Sequence, residues 1–387
     1  MALSGKAMHR WYLIHKWTSL ICTIFMLMLC LTGLPLIFHE EINQLTRAPE
    51  ITDLSGRAST GAADLDAMAL IAKAEKPGWQ LMFLTWDKDS PLINAVLGPT
   101  MKAGEGDVHF VPFDRRSGEQ LNAPPPNEGV MYFLLDLHAS LLMGLPGALF
   151  LGLMGVIFTL SVISGVVVYA PLMRRLPFAT VRQTMSRRIK WLDLHNMIGM
   201  VTLAWVSVVS ITGIVLTLVT PITAIWQQEQ IASLKLTYGD AAQSDPADPV
   251  SPGQVLERVL TAVPDAELYF MSMPGSPYAT PHHYAMGMRG NTPLTEHMVK
   301  IALVEAATGK LISIKDTPWY ISAINLSIPL HFGDYGGLPL KILWAILNIA
   351  AIIVLGSGLY LWIVRRNKTR EKRLQSLQAQ LTTENPS

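Results

Sequence analysis

Four histidines occupy matched positions in the two halves of the chain. His195 follows His15 at a sequence offset of 180, and His331 follows His138 at an offset of 193. Neutral imidazole nitrogens are common ligands of iron and other transition metals in proteins. The spacing therefore predicts two sites, each built from two histidines that face each other from equivalent helices.

Four apolar runs are long enough to position these histidines across a membrane. About 20 helical residues span the hydrocarbon core of a bilayer. Half of the 387 residues are hydrophobic and only 15% are charged. The runs predicted to cross are 17–38, 139–173, 196–228 and 342–364. The first has no signal-peptide cleavage site and is predicted to stay as a helix, so the chain is predicted to be a mainly α membrane protein.

The two histidine offsets also relate the residues around the histidines, which indicates an internal duplication. Each half then consists of a helix, an outer domain and a second helix. Because each half crosses the membrane twice, the fold is predicted to be four transmembrane helices in two parallel repeats. The further matched residues are Trp11, Thr32 and Gly33 with Trp191, Thr212 and Gly213, and Gly144, Pro146, Ser164 and Gly165 with Gly337, Pro339, Ser357 and Gly358.

Lysine and arginine cluster beside these helices and predict their orientation. They are Lys6, Arg10 and Lys16, then Arg174, Arg175, Arg182, Arg187, Arg188 and Lys190, then Arg365, Arg366, Lys368, Arg370, Lys372 and Arg373. Such clusters mark the cytoplasmic side. We therefore expect a multi-pass protein of a bacterial inner membrane, with both termini cytoplasmic and both large loops periplasmic. The predicted order is tail and first helix 1–40, outer domain 41–130, helix 131–174, cytoplasmic loop 175–190, helix 191–228, outer domain 229–325, helix 326–364 and tail 365–387.

Four glycines lie at the predicted depths of the histidine sites. Gly33 and Gly213 each follow the first histidine of their half by five helical turns, which is about 18 residues or about 27 Å of rise. Gly165 and Gly358 each follow the second histidine at an offset of 27. Small residues admit a flat macrocycle between helices, so the pattern fits two b-type haems with bis-histidine ligation. The alternatives are interfacial histidines with helix-packing glycines, or another metal, although two histidines without a carboxylate suit zinc poorly.

His39 is a separate candidate for cofactor binding, because its matched position holds Val219. The sequence leaves open whether it replaces a ligand of the outer haem, bonds a propionate, meets substrate or is an interfacial histidine. Aromatic and histidine residues of the outer loops are candidate substrate contacts, and alternating methionines near 271–288 predict core packing. The candidate contacts are Trp79, Trp86, Trp319, Tyr320, His282 and His283. Trp319 and Tyr320 fit the aromatic belt at a membrane interface better than a substrate contact.

Each outer segment contains a helical pattern followed by a strand that enters a tight turn. The helical patterns lie near 64–74 and 254–263. The strands run towards Gly118 and Gly309, and each glycine is predicted to take φ > 0 in its turn. These features predict two small α+β domains.

The helix motifs resemble the PepSY-associated transmembrane family, and the outer segments resemble PepSY modules, over nearly the whole chain. The motifs are His15-Lys16-Trp17 with Thr32-Gly33, Asp193-Leu194-His195 with Thr212-Gly213, Pro329-Leu330-His331 with Gly356-Ser357-Gly358, Arg116-Ser117-Gly118 and Ala307-Thr308-Gly309. The resemblance implies haem ligands at the four duplicated histidines. It also implies an inner-membrane oxidoreductase that reduces ferric siderophores. Among such reductases, the chain most resembles the ferrioxamine type.

The function expected from these features is electron transfer across the membrane to a ferric hydroxamate siderophore, which releases Fe(II). The chain has no nicotinamide-binding fingerprint, so its donor is a quinol, a cytoplasmic reductant or a partner protein. Nothing in the charge balance indicates nucleic-acid binding. Two alternatives stay open: a siderophore or iron permease subunit, and a periplasmic binding or inhibitory module with structural haem. Against a permease, the sequence predicts neither paired carboxylates nor broken helices in the membrane.

Overall fold

A computed structural model describes residues 4–46, 64–86, 91–174, 177–238, 249–264, 266–290, 292 and 297–384 of the protein. Parts of both predicted outer domains, residues 47–63 and 239–248, and Arg175 of the predicted basic loop lie outside the described residues. The chain forms two compact units. The first comprises Met1–Ile37, Leu134–Thr217 and Pro329–Ser387, and the second comprises Phe38–Phe133 and Leu218–Ile328.

The described residues contain long helices in the first unit and a sheet with short helices in the second. The helices are α1 (Gly5–Ile37), α2 (His39–Thr46), α3 (Leu65–Glu75), α4 (Gly129–Ser140), α5 (Gly144–Met173), α6 (Arg187–Val201), α7 (Leu203–Leu216), α8 (Val219–Tyr238), α9 (Pro252–Ala262), α10 (Trp319–Phe332) and α11 (Gly337–Glu384). The strands are β1 (Gln80–Trp86), β2 (Leu92–Gly98), β3 (His109–Asp114), β4 (Glu267–Ser272), β5 (His283–Arg289), β6 (Lys300–Glu305) and β7 (Leu311–Asp316).

Three of the described helices are long and apolar enough to cross a membrane, and a bent pair would make a fourth crossing. The three are α1, α5 and residues 337–367 of α11, and the pair is α6 with α7. The protein is therefore mainly helical and has the features of a multi-pass membrane protein, as the sequence predicted.

The third predicted crossing is not one straight helix, which corrects the sequence interpretation. The apolar run 196–228 is interrupted at Thr202, where α6 and α7 meet at an angle of 65°. The hydroxyl of Thr202 donates to the carbonyl of Ile198 at 3.0 Å, a bond that competes with the helix ladder and bends helices. The matched position in the unbroken α1 is Cys22. Periodicity and hydrophobicity continue across the break, so neither revealed it.

The helices of the first unit pack in a closed order. Helix α1 packs against α5 and α11, α5 packs against α7, and α11 packs against α6. Gly152 allows the close approach of α5 and α7, because a Cβ there would lie 2.4 Å from the Thr217 hydroxyl oxygen. Between α11 and α1, the amide of Asn348 donates to the carbonyl of Cys30 at 2.9 Å. Each of these contacts involves a small or a polar residue. Such residues are typical of helix contacts in membranes, where the hydrophobic effect does not drive helices together.

The two predicted outer domains form one sheet, which corrects the prediction of two separate α+β domains. All seven strands are antiparallel neighbours in the order β3-β2-β1-β4-β5-β6-β7. The two segments join through β1 and β4, where Leu84 pairs with Met271. Pairing of strands that come from opposite halves of the chain leaves no local signal in the sequence.

The helices predicted in the outer segments are present as α3 and α9, and their apolar residues share a core with the sheet. Met271, Met286 and Met288 are buried in that core, so the predicted packing role of the methionines is confirmed. Gly118 and Gly309 both have positive φ, at 76° and 66°, as their predicted turns require. The domain thus agrees with the predicted elements and differs in how they assemble.

The start of α9 is held by an acidic side chain of α3. The carboxylate of Asp66 accepts from the Ser251 hydroxyl at 2.6 Å and from the Gly253 backbone N–H at 2.8 Å. A carboxylate at a helix N-terminus satisfies free N–H groups and complements the helix dipole. This contact connects the two sequence halves on the helical side of the sheet.

Candidate functional site

The structure brings the four duplicated histidines together as two pairs within the first unit. The imidazole rings of His15 and His195 have centroids 6.5 Å apart, with 65° between their planes. The rings of His138 and His331 have centroids 6.2 Å apart, with 69° between their planes. We call these the inner pair and the outer pair, after the depths predicted for them.

Each ring of the inner pair is oriented by the helix beside it. His15 Nδ1 bonds the main-chain carbonyl oxygen of Ser161 at 2.9 Å. His195 Nδ1 bonds the carbonyl oxygen of Val354 at 3.0 Å and the hydroxyl oxygen of Ser357 at 3.0 Å. Ser161 and Val354 are themselves matched positions, because the offset between them equals the offset between the outer histidines.

Each ring of the outer pair is oriented by a threonine. His138 Nδ1 lies 2.9 Å from the Thr32 hydroxyl oxygen. His331 Nδ1 lies 3.2 Å from the Thr212 hydroxyl oxygen and 2.9 Å from the carbonyl oxygen of Val209. The two threonines are also matched positions, with the same offset as the inner histidines.

These bonds determine which ring nitrogen carries the proton. A carbonyl oxygen only accepts, so the Nδ1 atoms of His15, His195 and His331 must donate. The Thr32 hydroxyl already donates to the Met28 carbonyl at 2.9 Å, so its oxygen accepts from His138. With Nδ1–H as the donor in every ring, Nε2 carries the free lone pair. This is the arrangement by which proteins orient histidines that bind a metal.

The spacing of both pairs fits one metal between two axial imidazoles. An imidazole nitrogen binds a metal at about 2.0–2.1 Å and lies about 1.1 Å from its ring centre, so two rings on opposite sides of one metal have centres about 6.3 Å apart. The observed 6.5 Å and 6.2 Å match this value. Among the described residues, no group of three or more His, Cys, Asp or Glu side chains is arranged to hold a metal ion. Each pair therefore offers two ligands, and a porphyrin would supply the rest.

The four predicted glycines each lie against one of these imidazoles. A Cβ added to Gly33 or Gly213 would lie 3.1 or 3.0 Å from Cε1 of an outer histidine. A Cβ added to Gly165 or Gly358 would lie 3.0 or 3.3 Å from Cε1 of an inner histidine. The glycines therefore make room for the ligand rings. The expectation that they also make room for the macrocycle stays a prediction.

Contacts of the glycines also give the separation of the pairs. Gly33 lies against His138 of the outer pair, and it belongs to the same helix, α1, as His15 of the inner pair. The stretch of α1 from His15 to Gly33 is about 18 residues long and rises about 27 Å. The two pairs are thus at opposite ends of one membrane-length helix.

His39 is the first residue of α2 and belongs to the second unit, whereas the four paired histidines belong to the first. Its proposed part at the outer site stays a prediction. His9 lies on α1 with its ring 6.4 Å from that of Tyr12. Neither residue is one of the two facing pairs.

Two of the six candidate substrate contacts are wrong, because the sheet domain buries them. Trp86 is 4% exposed and belongs to the core shared with α3 and α9. His283 is 3% exposed, and burial and the neighbouring His282 lower its pKa. Trp319 is 81% exposed, and the hydroxyl of Tyr320 donates to Glu229 at 2.5 Å. These two, with Trp79 and His282, stay candidates.

Sequence reasoning found the paired histidines and missed the groups that orient them. Thr32 and Thr212 were noted as matched residues without a role, and Ser357 was noted in the same way. The carbonyl acceptors, at Ser161, Val354 and Val209, have no side-chain signature. A histidine that binds a metal needs a hydrogen-bond acceptor for its second nitrogen. The equal offset between Ser161 and Val354 is the one sequence signal that could have indicated such acceptors.

Comparison with known proteins places this arrangement in a family. The chain matches the family model described as PepSY-associated TM region over residues 12–365. It is also similar to an uncharacterized protein of Pseudomonas aeruginosa, with 26% identity over 265 residues. That alignment covers 63% of this chain and 66% of the relative, which is just under two thirds of its length. Because the family model covers most of the chain, this protein belongs to the PepSY-associated TM region family.

Proposed function

We propose that the protein is a di-haem transmembrane oxidoreductase that reduces a ferric siderophore of the hydroxamate type in the periplasm. The single observation that carries the proposal is the geometry of the two histidine pairs. Both pairs have the ring spacing of bis-imidazole ligation, and both present Nε2 while Nδ1 is held by a neighbouring helix. Two b-type haems would be held by His15 with His195 and by His138 with His331.

A bound haem iron supplies a reversible one-electron couple, whose potential depends on its ligands and surroundings. The protein's own part is to hold and orient four imidazoles inside an apolar bundle. Hydrogen bonds donated by Nδ1–H make each ring a stronger and more rigid ligand. A separation of about 27 Å along a membrane-spanning α1 would put one pair towards each membrane surface. This arrangement suits transfer of electrons from one side of the membrane to the other.

The proposed substrate follows from the chemistry of iron chelates. Hydroxamate oxygens are hard ligands that hold Fe(III) tightly. One electron converts the substrate metal to Fe(II), whose lower charge density weakens its bonds to hard oxygens and allows release. The donor of that electron stays unassigned among a quinol, a cytoplasmic reductant and a partner protein. In this proposal the sheet domain is periplasmic and receives the chelate.

A spectroscopic experiment on the purified full-length protein tests the proposal. The protein should show b-type haem bands after anaerobic reduction with dithionite, and ferrioxamine should reoxidise them. The gallium complex of the same siderophore is the matched control, because gallium(III) has a similar size and accepts no electron. The proposal fails if the protein carries no haem, or if the iron and gallium complexes have the same effect.

A permease subunit is the second candidate, and one observation favours it. Discontinuous helices in membranes often mark transport sites, and the 65° bend between α6 and α7 is such a discontinuity. Uptake of the gallium complex into proteoliposomes distinguishes the two functions. A permease moves this complex, whereas a reductase leaves it outside and reduces only the iron complex.

A further inference from the structure

Lys341 is a buried cation in a helix that is long and apolar enough to cross the membrane. Its side chain is 4% exposed, and it is the only charged residue in the run 337–364 of α11. A lysine near a helix end can extend its ammonium group towards water, but this one is covered by protein. Ionisable residues inside membrane proteins are costly and usually mark functional sites. Its Nζ is 3.9 Å from the carboxylate of Asp334.

Two indole side chains with buried N–H groups contact each other, and one of them shares a helix face with this cation. Trp344 follows Lys341 by three positions and therefore shares its face of α11. The ring of Trp344 is 6.5 Å from that of Trp205 on α7. Both Nε1 atoms are buried and have no hydrogen-bond partner among the described residues. A buried donor without an acceptor is energetically unfavourable, so these N–H groups suit a ligand that accepts hydrogen bonds.

The cluster adjoins the outer histidine pair. His331 is the second-last residue of α10, and Gly333 follows with φ of 75°. A Cβ on Gly333 would lie 2.6 Å from Cγ of Trp344, so the indole packs directly on the backbone just after the histidine. Asp334, which pairs with Lys341, is the next residue. The cation and the indole are thus fixed to the segment that positions one outer ligand.

The cluster occurs in one half of the chain only. At the offset of the outer histidines, Asp334, Lys341 and Trp344 correspond to Leu141, Ala148 and Leu151, which carry no charge and no polar side-chain hydrogen. The outer ligands are therefore symmetric, whereas the donors beside them are one-sided. A haem has the same asymmetry, because both of its propionates extend from one edge of the porphyrin. A carboxylate is also the acceptor that an ammonium and an indole N–H would bind together.

We propose, on the basis of the function proposed above, that Lys341 and Trp344 bind a propionate of the haem held by His138 and His331. The contact fixes which edge of the porphyrin faces α11. It makes Lys341 a positioning residue for the outer cofactor.

The rate at which haem leaves the protein tests this inference. Transfer of native haem from the purified protein to apomyoglobin should be about 10- to 100-fold faster for one of the two haems in Lys341→Met, because a charge-assisted hydrogen bond is lost. The second haem should leave at the wild-type rate. Lys341→Arg keeps a positive charge and should release haem at a rate close to that of the wild type. Lys300→Met is the matched control, since Lys300 is also paired with a carboxylate, Asp316 at 3.7 Å, but is exposed in the sheet.

Haem dimethyl ester separates propionate binding from a purely structural role. Its carboxylates are blocked, so Lys341→Met and the wild type should release it at the same rate. Asp334→Asn keeps the cation and should retain native haem at least as well as the wild type. The inference is overturned if Lys341→Met releases native haem at the wild-type rate, if it accelerates release of the ester equally, or if Asp334→Asn behaves like Lys341→Met. A wild-type protein without haem would overturn the proposed function and this inference together.

Discussion

The inner and outer histidine pairs have nearly the same ring spacing, but different groups orient their imidazoles. At the inner pair, both Nδ1 atoms donate to main-chain carbonyls, at Ser161 and Val354. At the outer pair, both Nδ1 atoms contact threonine hydroxyls, at Thr32 and Thr212. The ring spacing is therefore duplicated, and the support differs chiefly at His138, whose closest partner is a hydroxyl, because the Val209 carbonyl supports His331 at 2.9 Å.

The type of hydrogen-bond acceptor determines whether a single substitution can remove the support of a histidine ring. A carbonyl acceptor persists whatever side chain the residue carries, so the support that the Ser161, Val354 and Val209 carbonyls give is set by helix packing. A hydroxyl acceptor is lost by a single substitution, so the contact of Thr32 with His138 can be altered without moving a helix. The outer pair also has a charged cluster on one side, at Lys341 and Asp334. In the proposed function, the outer site is thus the one at which a charged side chain could also tune the affinity and potential of the cofactor.

Removal of one ligand from each pair should have the largest effect and should show that the pairs are separate sites. In His15→Ala or His138→Ala, one axial ligand is lost, so haem content should fall from two to about one per chain. Reduction of the ferric chelate should be lost in both variants. Pyridine haemochrome assays on the purified proteins measure the content.

His9→Ala is the control for this experiment, because His9 lies on the same helix as His15 but outside the pairs. It should keep both haems. Loss of both haems from His15→Ala alone would show that the two pairs do not act as independent sites, which contradicts the comparison.

A methyl group added at the glycines should have the next largest effect. Gly165→Ala and Gly213→Ala each place a Cβ 3.0 Å from Cε1 of a ligand histidine, so the ring must move by a few tenths of an ångström. Overpacking of this kind costs about 1–3 kcal/mol, which corresponds to roughly 5- to 150-fold weaker haem retention. Gly165→Ala should affect the inner haem and Gly213→Ala the outer haem.

Gly358→Ala should have a smaller effect of the same kind. Its Cβ would lie 3.3 Å from Cε1 of His195, so the ring would need to move less. Gly199→Ala is the control, since a Cβ at Gly199 has no neighbour within 4 Å. Equal haem retention in Gly165→Ala and Gly199→Ala would contradict the close packing of the imidazole rings against the glycines.

Removal of a hydroxyl acceptor should have the smallest effect, and it compares the two pairs directly. Thr32→Val removes the hydroxyl that His138 contacts, and loss of such a partner typically weakens a metal site about 10- to 100-fold. Ser357→Ala removes a hydroxyl from the inner pair, but the Val354 carbonyl stays at 3.0 Å from His195. The outer haem of Thr32→Val should therefore dissociate faster than the inner haem of Ser357→Ala. If the inner haem of Ser357→Ala dissociates faster than the outer haem of Thr32→Val, the type of acceptor does not explain the difference between the two sites.

The sequence predicted the parts of the fold and site that repeat, and it missed the parts that depend on long-range contacts. Equal offsets singled out His15, His195, His138 and His331, which the structure pairs, because a repeated motif leaves identical residue types at one spacing. The joining of β1 to β4 left no trace, since strand pairing between distant segments has no fixed spacing. The bend at Thr202 was missed because hydrophobic periodicity does not register a local change in the direction of a helix.

The most direct test of the central claim is the ligation state of iron in the purified wild-type protein. Electron paramagnetic resonance of the oxidised protein, together with haem quantification, reports both the number of haems and their axial ligands. We predict two b-type haems per chain, both low-spin with two imidazole ligands. Absence of haem, a single haem, or high-spin iron with one open axial position would contradict the assignment of His15 with His195 and His138 with His331 as ligand pairs.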